Sequence, residues 1–340
     1  MAAVTVSSQL VRQVLIGTEK KGISSEELLK LHGIPAITLK NERMRVSVLA
    51  FAGLIQSITS RLNDDALGLI DETIPSGTFM FIFRACQSAT TIAESIQIIC
   101  DGINLIGKGV SISLYNNKNA CRLEFTANHA PAPAENYIYI HVFAAIHRFL
   151  CWQTNDFIPI KRVDLNYPSP SYASEYRFNF YGSPIHFDKK VSAIYFAKEH
   201  LDRKCVRSNQ ELKDFLDNYI SQLIIQSRQS QLTSVKVRIW LEQILKEGVE
   251  SPDITNAAAH LDISEYALRR RLNAENYPFN KIKEHTRRDV AILHLENNIH
   301  SIEKIAFDLG FSEASTFIRS FKRWTGLTPL AYRKLLLSES

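Results

Sequence analysis

Two stretches near the end of the chain repeat one internal pattern, and this repetition narrows the choice of fold more than any other feature. The first is ITNAAAHLDISEYALRRRL, Ile254 to Leu272; the second is IEKIAFDLGFSEASTFIRSFKRW, Ile302 to Trp324. Each reads as a short helix with small Ala residues, a turn, a Ser, and a second helix rich in Arg. That order of parts is a helix-turn-helix, whose second helix is shaped to lie in the major groove of DNA. The units span about 254–275 and 302–325 and stand about 50 residues apart (Leu268 to Phe317), joined by a helical stretch from Phe279 to Leu295.

Helix phase sharpens the reading. In the second unit Ile302, Ile305, Ala306 and Leu309 form one apolar face, and Gly310 permits the left-handed conformation that ends a helix. Ser312 is the expected N-cap of the next helix. There Phe317, Phe321 and Trp324 fall at i, i+4 and i+7, so they are expected to be buried against Ile305 and Leu309. At roughly 100° per residue, Arg319 lies roughly 200° round from Phe317. Ser315 and Lys322 sit on either side of it, and Arg323 flanks them. In the first unit Leu268 and Leu272 define the core side. Tyr266 and Arg270 lie nearly opposite, Arg269 is beside them, and Asp262 and Ser264 supply turn and cap. Total charge does not distinguish this from an ordinary solvated face, since from Ser234 onward there are 16 Lys+Arg against 14 Asp+Glu. The placement of the cations does: they lie opposite the core, on the second helix of each of two similar units.

Those residues carry a resemblance. Ile305-Ala306, Leu309-Gly310-Phe311-Ser312, Phe317, Phe321-Lys322-Arg323-Trp324-Thr325-Gly326, Thr328-Pro329 and Tyr332-Arg333 are similar to the signature of the AraC/XylS family of bacterial transcription regulators. Ser264, Leu268, Arg270 and Leu272 fit the first unit of that pattern more loosely. Ala314 departs from it, where a longer polar side chain would reach a base. The resemblance implies double-stranded promoter or operator DNA as partner, with Tyr266, Arg269 and Arg270 entering one major groove and Ser315, Arg319, Lys322 and Arg323 the next. It also implies RNA polymerase as a partner.

The rest of the chain has a different character. Apolar residues spaced as one helix face run from Val46 to Leu62 and from Ile92 to Ile106. Alternation in Val110–Tyr115 and Cys121–Phe125 around Asn116–Asn119 predicts a β-hairpin. Pro131 and Pro133 precede a helix from Ala134 to Trp152 that is apolar on every side and therefore expected to be buried. Short strands are expected at Arg162–Asn166, Ile185–Phe187 and Ala193–Phe196. The fold class is thus an α+β N-terminal sensor domain, with a mixed or antiparallel sheet and helices, plus an all-α C-terminal domain with two helix-turn-helix units. Leu212, Phe215, Leu216, Tyr219, Ile220, Leu223 and Ile224 mark a further helix, which ends in the polar stretch Gln226–Ser234. The expected limits are 1–205 for sensing and dimerisation, 206–234 for a linker helix and polar linker, and 235–340 for DNA binding. Ile158-Pro159-Ile160, Val163, Tyr167-Pro168, Pro170, Tyr176, Phe178, Phe180, Pro184, Phe187, Phe196 and Leu201-Asp202, with Ser88-Ala89-Thr90-Thr91 before a helix, resemble the arabinose-binding-like sensor of ornithine-utilisation-type regulators. That implies a small-molecule effector of unassigned identity and allows a homodimer.

Several chemistries find no support. The sequence has no Walker loop, Gly-x-Ser-x-Gly or Gly-x-Gly-x-x-Gly, so neither an enzyme nor a cofactor is expected. His141 and His147 are six apart on a helix and point different ways, and no metal site is expected. Five scattered cysteines without a Cys-x-x-Cys pair argue for a reducing, cytoplasmic compartment, with nucleoid association when bound to DNA. The most apolar stretch, Tyr137 to Trp152, contains His141, His147 and Arg148, too polar for a membrane span. Arg84, Tyr137, Tyr139, His141 and Arg148 could line an effector pocket, or simply satisfy their own hydrogen bonds in a core. The competing functional reading is a ligand-binding protein or enzyme whose C-terminal helices mediate protein contacts.

Overall fold

Local periodicity becomes regular structure at nearly every expected place in the computed structural model, which describes residues 5–107, 109–116, 120–127, 136–217, 232–246 and 252–338. In chain order the elements begin with β1 (Thr5–Ser7), α1 (Ser8–Lys20), α2 (Ser25–Leu31), β2 (Arg45–Ser47), α3 (Val48–Leu62), α4 (Thr78–Ala85) and α5 (Ile92–Ile106). They continue with β3 (Val110–Asn116), β4 (Ala120–Ala127), α6 (Tyr137–Thr154), β5 (Ile160–Asp164), α7 (Tyr176–Asn179), β6 (Ile185–His186), β7 (Ser192–Ala197) and α8 (Asn209–Asp217). The C-terminal helices are α9 (Thr233–Lys246), α10 (Ile254–His260), α11 (Glu265–Ala274), α12 (Phe279–Asn297), α13 (Ile302–Asp308), α14 (Ala314–Thr325) and α15 (Pro329–Ser338). The chain forms two compact units, one of Arg12–Ser25 and Ile55–Gln229, the other of Met1–Val11, Glu26–Leu54 and Ser230–Ser340.

The first unit is built on a five-stranded mixed sheet in the order β3-β4-β7-β5-β6. All neighbours are antiparallel except β5 and β6, which are parallel. The expected hairpin forms with Val110 opposite Ala127 and Asn116 opposite Cys121. Its Asn117–Asn119 turn lies outside the described residues, as do Pro131 and Pro133. β5 begins at Ile160, two residues before the strand read from sequence, with a register shift between Ile160 and Arg162. Helix α5 matches its predicted span and is well capped: Thr91 accepts a hydrogen bond from the Glu94 amide, and Gly107 closes the helix at φ 62°. Helix α6 is buried on all sides from Tyr137 to Cys151, as its all-round apolar pattern requires.

The second unit is organised along α12. Its N-terminal part, through Phe279 and Ile282, joins a core with Val237, Leu241, Ala257, Leu268 and Leu272. Its later turns, Val290 to Leu295, join a second core with Leu245, Ile305, Leu309, Phe317, Phe321 and Tyr332. Met44, fully buried, belongs to that second core. It is carried by the loop before β2, which pairs antiparallel with β1. Val46, expected as the first turn of a helix, is instead in β2 opposite Val6, and the helix starts at Val48. Thr233 and Ser234, read as the end of a polar linker, open α9, where their amides donate to the Glu275 carboxylate at 2.8 and 2.9 Å. Tyr219, Ile220, Leu223, Ile224 and Gln226–Gln231 lie outside the described residues.

A buried charge cluster ties these pieces together. The Asp289 carboxylate accepts from Thr5 Oγ1 at 2.5 Å, Arg238 Nη2 at 2.7 Å and Arg288 Nε at 3.0 Å. Arg45 Nε donates to Thr5 Oγ1 at 2.7 Å and lies 3.9 Å from Asp289. Tyr332 donates to the Arg45 carbonyl, and Asn41 Nδ2 to the Thr325 carbonyl at 3.0 Å. Burial opposes ionisation of Asp289, but the charges of Arg288, Arg238 and Arg45 outweigh it and hold the carboxyl well below its usual range.

Candidate nucleic-acid interface

Each helix-turn-helix unit is set by local chemistry. In the first, Asp253 and Asn256 form a reciprocal capping box at the start of α10. The chain turns through Asp262 at φ 52°, and Ser264 caps α11 by accepting from the Ala267 amide. Leu268 and Leu272 are buried, while Tyr266, Arg269 and Arg270 are exposed; Tyr266 is 75% exposed, high for a large aromatic. Arg269 donates through two nitrogens to Glu265 at 2.9 and 2.6 Å. Hydrogen bonds from Arg269 and Thr255 hold the Glu265 carboxyl below its usual range.

In the second unit Ser301 caps α13, and Gly310 takes φ 71°, the left-handed conformation expected of it. The expected Ser312 cap is not made. Residue Glu313 occupies the N-cap position of α14 without a side-chain cap, and its carboxylate instead accepts from Ser315 Oγ at 3.0 Å. Phe317 and Phe321 are fully buried beside Ile305 and Leu309. Trp324 is only partly buried, because its indole nitrogen reaches out to donate to Glu284 Oε1 at 2.7 Å. The same oxygen accepts from Arg323 Nη2 at 2.9 Å. Burial opposes ionisation of Glu284, but the Trp324 and Arg323 hydrogen bonds prevail and keep it below the usual carboxylate range.

All seven residues singled out in the sequence therefore lie exposed on α11 or α14: Tyr266, Arg269 and Arg270 on the first, Ser315, Arg319, Lys322 and Arg323 on the second. They are not equally available. Arg269 and Arg323 are held by carboxylates, whereas among the described residues Arg319 makes only a neutral hydrogen bond, to Thr316 Oγ1 at 3.2 Å. Sequence reasoning missed the supports from α12. Arg287 Nη2 donates to the Gly310 carbonyl at 3.1 Å and its guanidinium lies over the Phe311 ring, fastening the turn of the second unit. Lys283 lines a cavity of about 250 Å³ with Asp253, Arg269, Asn273 and Asn280, where burial and then repulsion from Arg287 bring its amine down to about 8. No spacing rule marks Arg287, since its partners Gly310 and Phe311 lie in the turn of another element.

Comparison with known proteins decides the family. Residues 22–205, more than half of the chain, match the arabinose-binding domain of AraC transcription regulators, and residues 257–335 match a helix-turn-helix domain. The chain belongs to the AraC family of transcription regulators. Along most of its length this AraC-family chain is similar to the ornithine utilization regulator of Pseudomonas aeruginosa, at 22% identity over 316 residues, 92% of this chain and 91% of the relative. Its C-terminal part is similar to the transcriptional activator CfaD of Escherichia coli, at 41% identity over 96 residues, 28% of this chain and 35% of that protein. The solved regulator CdpR of Pseudomonas aeruginosa aligns over 96% of this chain and 98% of its own, at 19% identity and a TM-score of 0.33, too loose a superposition to bear on the fold. As an AraC-family regulator the chain joins an N-terminal ligand-binding domain to a C-terminal helix-turn-helix DNA-binding domain.

Proposed function

We propose that both helix-turn-helix units read duplex DNA, α11 through Tyr266, Arg269 and Arg270 in one major groove and α14 through Ser315, Arg319, Lys322 and Arg323 in the next. The observation that carries this reading is the shared geometry of α11 and α14. Each is the second helix of its unit, packs buried apolar residues inward and turns every one of these side chains to solvent. Phosphate contacts by the cations would position the protein, and base contacts by Arg319 and Arg270 would specify the site. In this reading residues 1–205 sense an effector and can pair two chains, 206–234 link, and 235–340 bind DNA and meet RNA polymerase. The β1–β2 ribbon adds to the DNA-binding unit from the far end of the chain. The protein works in the cytoplasm, on the nucleoid, and has no catalytic activity; no helix among the described residues is long and apolar enough to cross a membrane.

Footprinting on selected sites tests the assignment. One protomer should protect about 20 contiguous base pairs on one face, two adjoining grooves each about 10 base pairs apart. Protection of a single groove would remove α11 from the reading surface. Failure to select any sequence across salt conditions would favour a protein-contact role for the C-terminal helices.

A further inference from the structure

Helix α6 carries a charge that the described fold leaves uncompensated. Arg148, on α6, is 6% exposed. Among the described residues its only hydrogen bond is Nε to the neutral Tyr181 hydroxyl at 3.2 Å, and its guanidinium stands 5.9 Å from that ring. No carboxylate pairs with it there. Buried guanidinium groups are ordinarily matched by an anion, since desolvation without a partner is severely unfavourable.

Two further observations point to a site rather than an accident of packing. Tyr137, His141 and Arg148 lie at i, i+4 and i+11 on α6, one stripe of the helix. The turns between the two basic residues carry Ala144 and Ala145, the smallest side chains of that stripe. Tyr181 takes φ 54°, a backbone state rare for a bulky residue, and its hydroxyl accepts from Arg148. The remaining groups add no charge. Burial, with a smaller contribution from Arg148 itself, brings the His141 imidazole down to about 4, so it is neutral at pH 7.

We propose that Arg148 anchors the effector site of this regulator and that the effector is a small monocarboxylate, its anion held by the guanidinium beside the Tyr181 hydroxyl and its body directed along α6 toward His141 and Tyr137. The inference rests on the reading that the N-terminal unit takes a small-molecule effector. A single fixed cation is balanced by a single negative charge, and the guanidinium fork matches the two carboxylate oxygens. A phosphate dianion would leave an excess charge among neutral neighbours.

Calorimetry and thermal unfolding of the full chain, without DNA, provide the test. The probes are acetate, hexanoate, dodecanoate and benzoate, each beside its matching primary alcohol and alkyl or aryl phosphate. At least one carboxylate should bind and raise the melting temperature, while its alcohol does not. Arg148→Gln should weaken that carboxylate by about thirtyfold or more, and Arg148→Lys by less. Arg148→Gln should also melt no lower than wild type when ligand-free, because it removes a buried charge that no described carboxylate compensates. The idea fails if no carboxylate binds, if alcohols or phosphates bind as well, or if Arg148→Gln leaves affinity unchanged. A ligand-free Arg148→Gln that melts well below wild type would mean an internal ion pair, and would equally overturn it. Loss of DNA binding by wild type in a parallel gel shift would overturn the DNA-reading assignment without touching this result.

Discussion

Arg319 and Arg323 carry the same charge on neighbouring turns of α14, but their partners give them different work. Among the described residues Arg319 bonds only a hydroxyl, which leaves its guanidinium able to fork onto a guanine, so Arg319→Ala should cost about 1–3 kcal/mol at one cognate base pair and relax preference there. Binding to a mutated-site panel checks this, and equal weakening on every sequence would make it a phosphate contact. Arg323 is shared with Glu284. Glu284→Gln should release it toward phosphate, strengthening binding to any duplex and steepening the salt dependence by about one unit of slope. An unchanged slope in a salt titration would show that Arg323 faces no phosphate.

At the scale of elements, the aromatic seam of α14 divides into a buried part and a half-buried one. Phe317→Ala or Phe321→Ala should destabilise the C-terminal unit by about 3–5 kcal/mol, measured by urea denaturation. Trp324→Ala should cost less, since the indole is partly exposed and its nitrogen is bonded at the surface. Equal losses at Phe317 and Trp324 would mean that the seam is buried throughout. The caps behave in the same local way. Ser264→Ala should cost about 1 kcal/mol through the lost bond to Ala267, whereas Ser312→Ala should cost little, because Ser312 makes no cap.

At the scale of the molecule, the DNA-binding unit draws its core and its charge balance from both ends of the chain. Met44 fills the second core and Thr5 and Arg45 complete the Asp289 cluster. A fragment beginning at Ser230 should therefore melt below the same unit in the full chain, and Met44→Ala should reproduce about 2–5 kcal/mol of that loss. Asp289→Ala, which removes the carboxylate that Arg45, Arg238 and Arg288 share and leaves Arg238 with Glu242, should cost about 3–5 kcal/mol. Equal melting of fragment and full chain would show that the N-terminal ribbon adds nothing. Stability should also fall on acidification. Burial brings His141, His147 and His285 from 6.5 down to about 4. Between those values the unfolded chain binds more protons than the folded one, so their contribution is whole above pH 6.5 and is lost as pH falls toward 4. A melting temperature unchanged between pH 7 and pH 4.5 would contradict that burial.

The sequence by itself determined the parts whose physics is local. The i, i+4 return of Phe317 and Phe321, the glycine at 310 and the cap at 264 act within one or two helical turns, so spacing alone sets which face of α11 and α14 turns to solvent. The same holds for α5 and the β3–β4 hairpin. What only the tertiary structure decided is partnership across long separations. Thr5 meets Asp289 at 284 positions' distance, and Asn41 meets Thr325 at the same remove. Glu284 chooses Trp324 and Arg323, and among the described residues Arg148 bonds only the neutral Tyr181 hydroxyl. None of these has a period in the sequence. Each follows from which surfaces pack together, and a buried charge takes or lacks its partner only when that packing is complete.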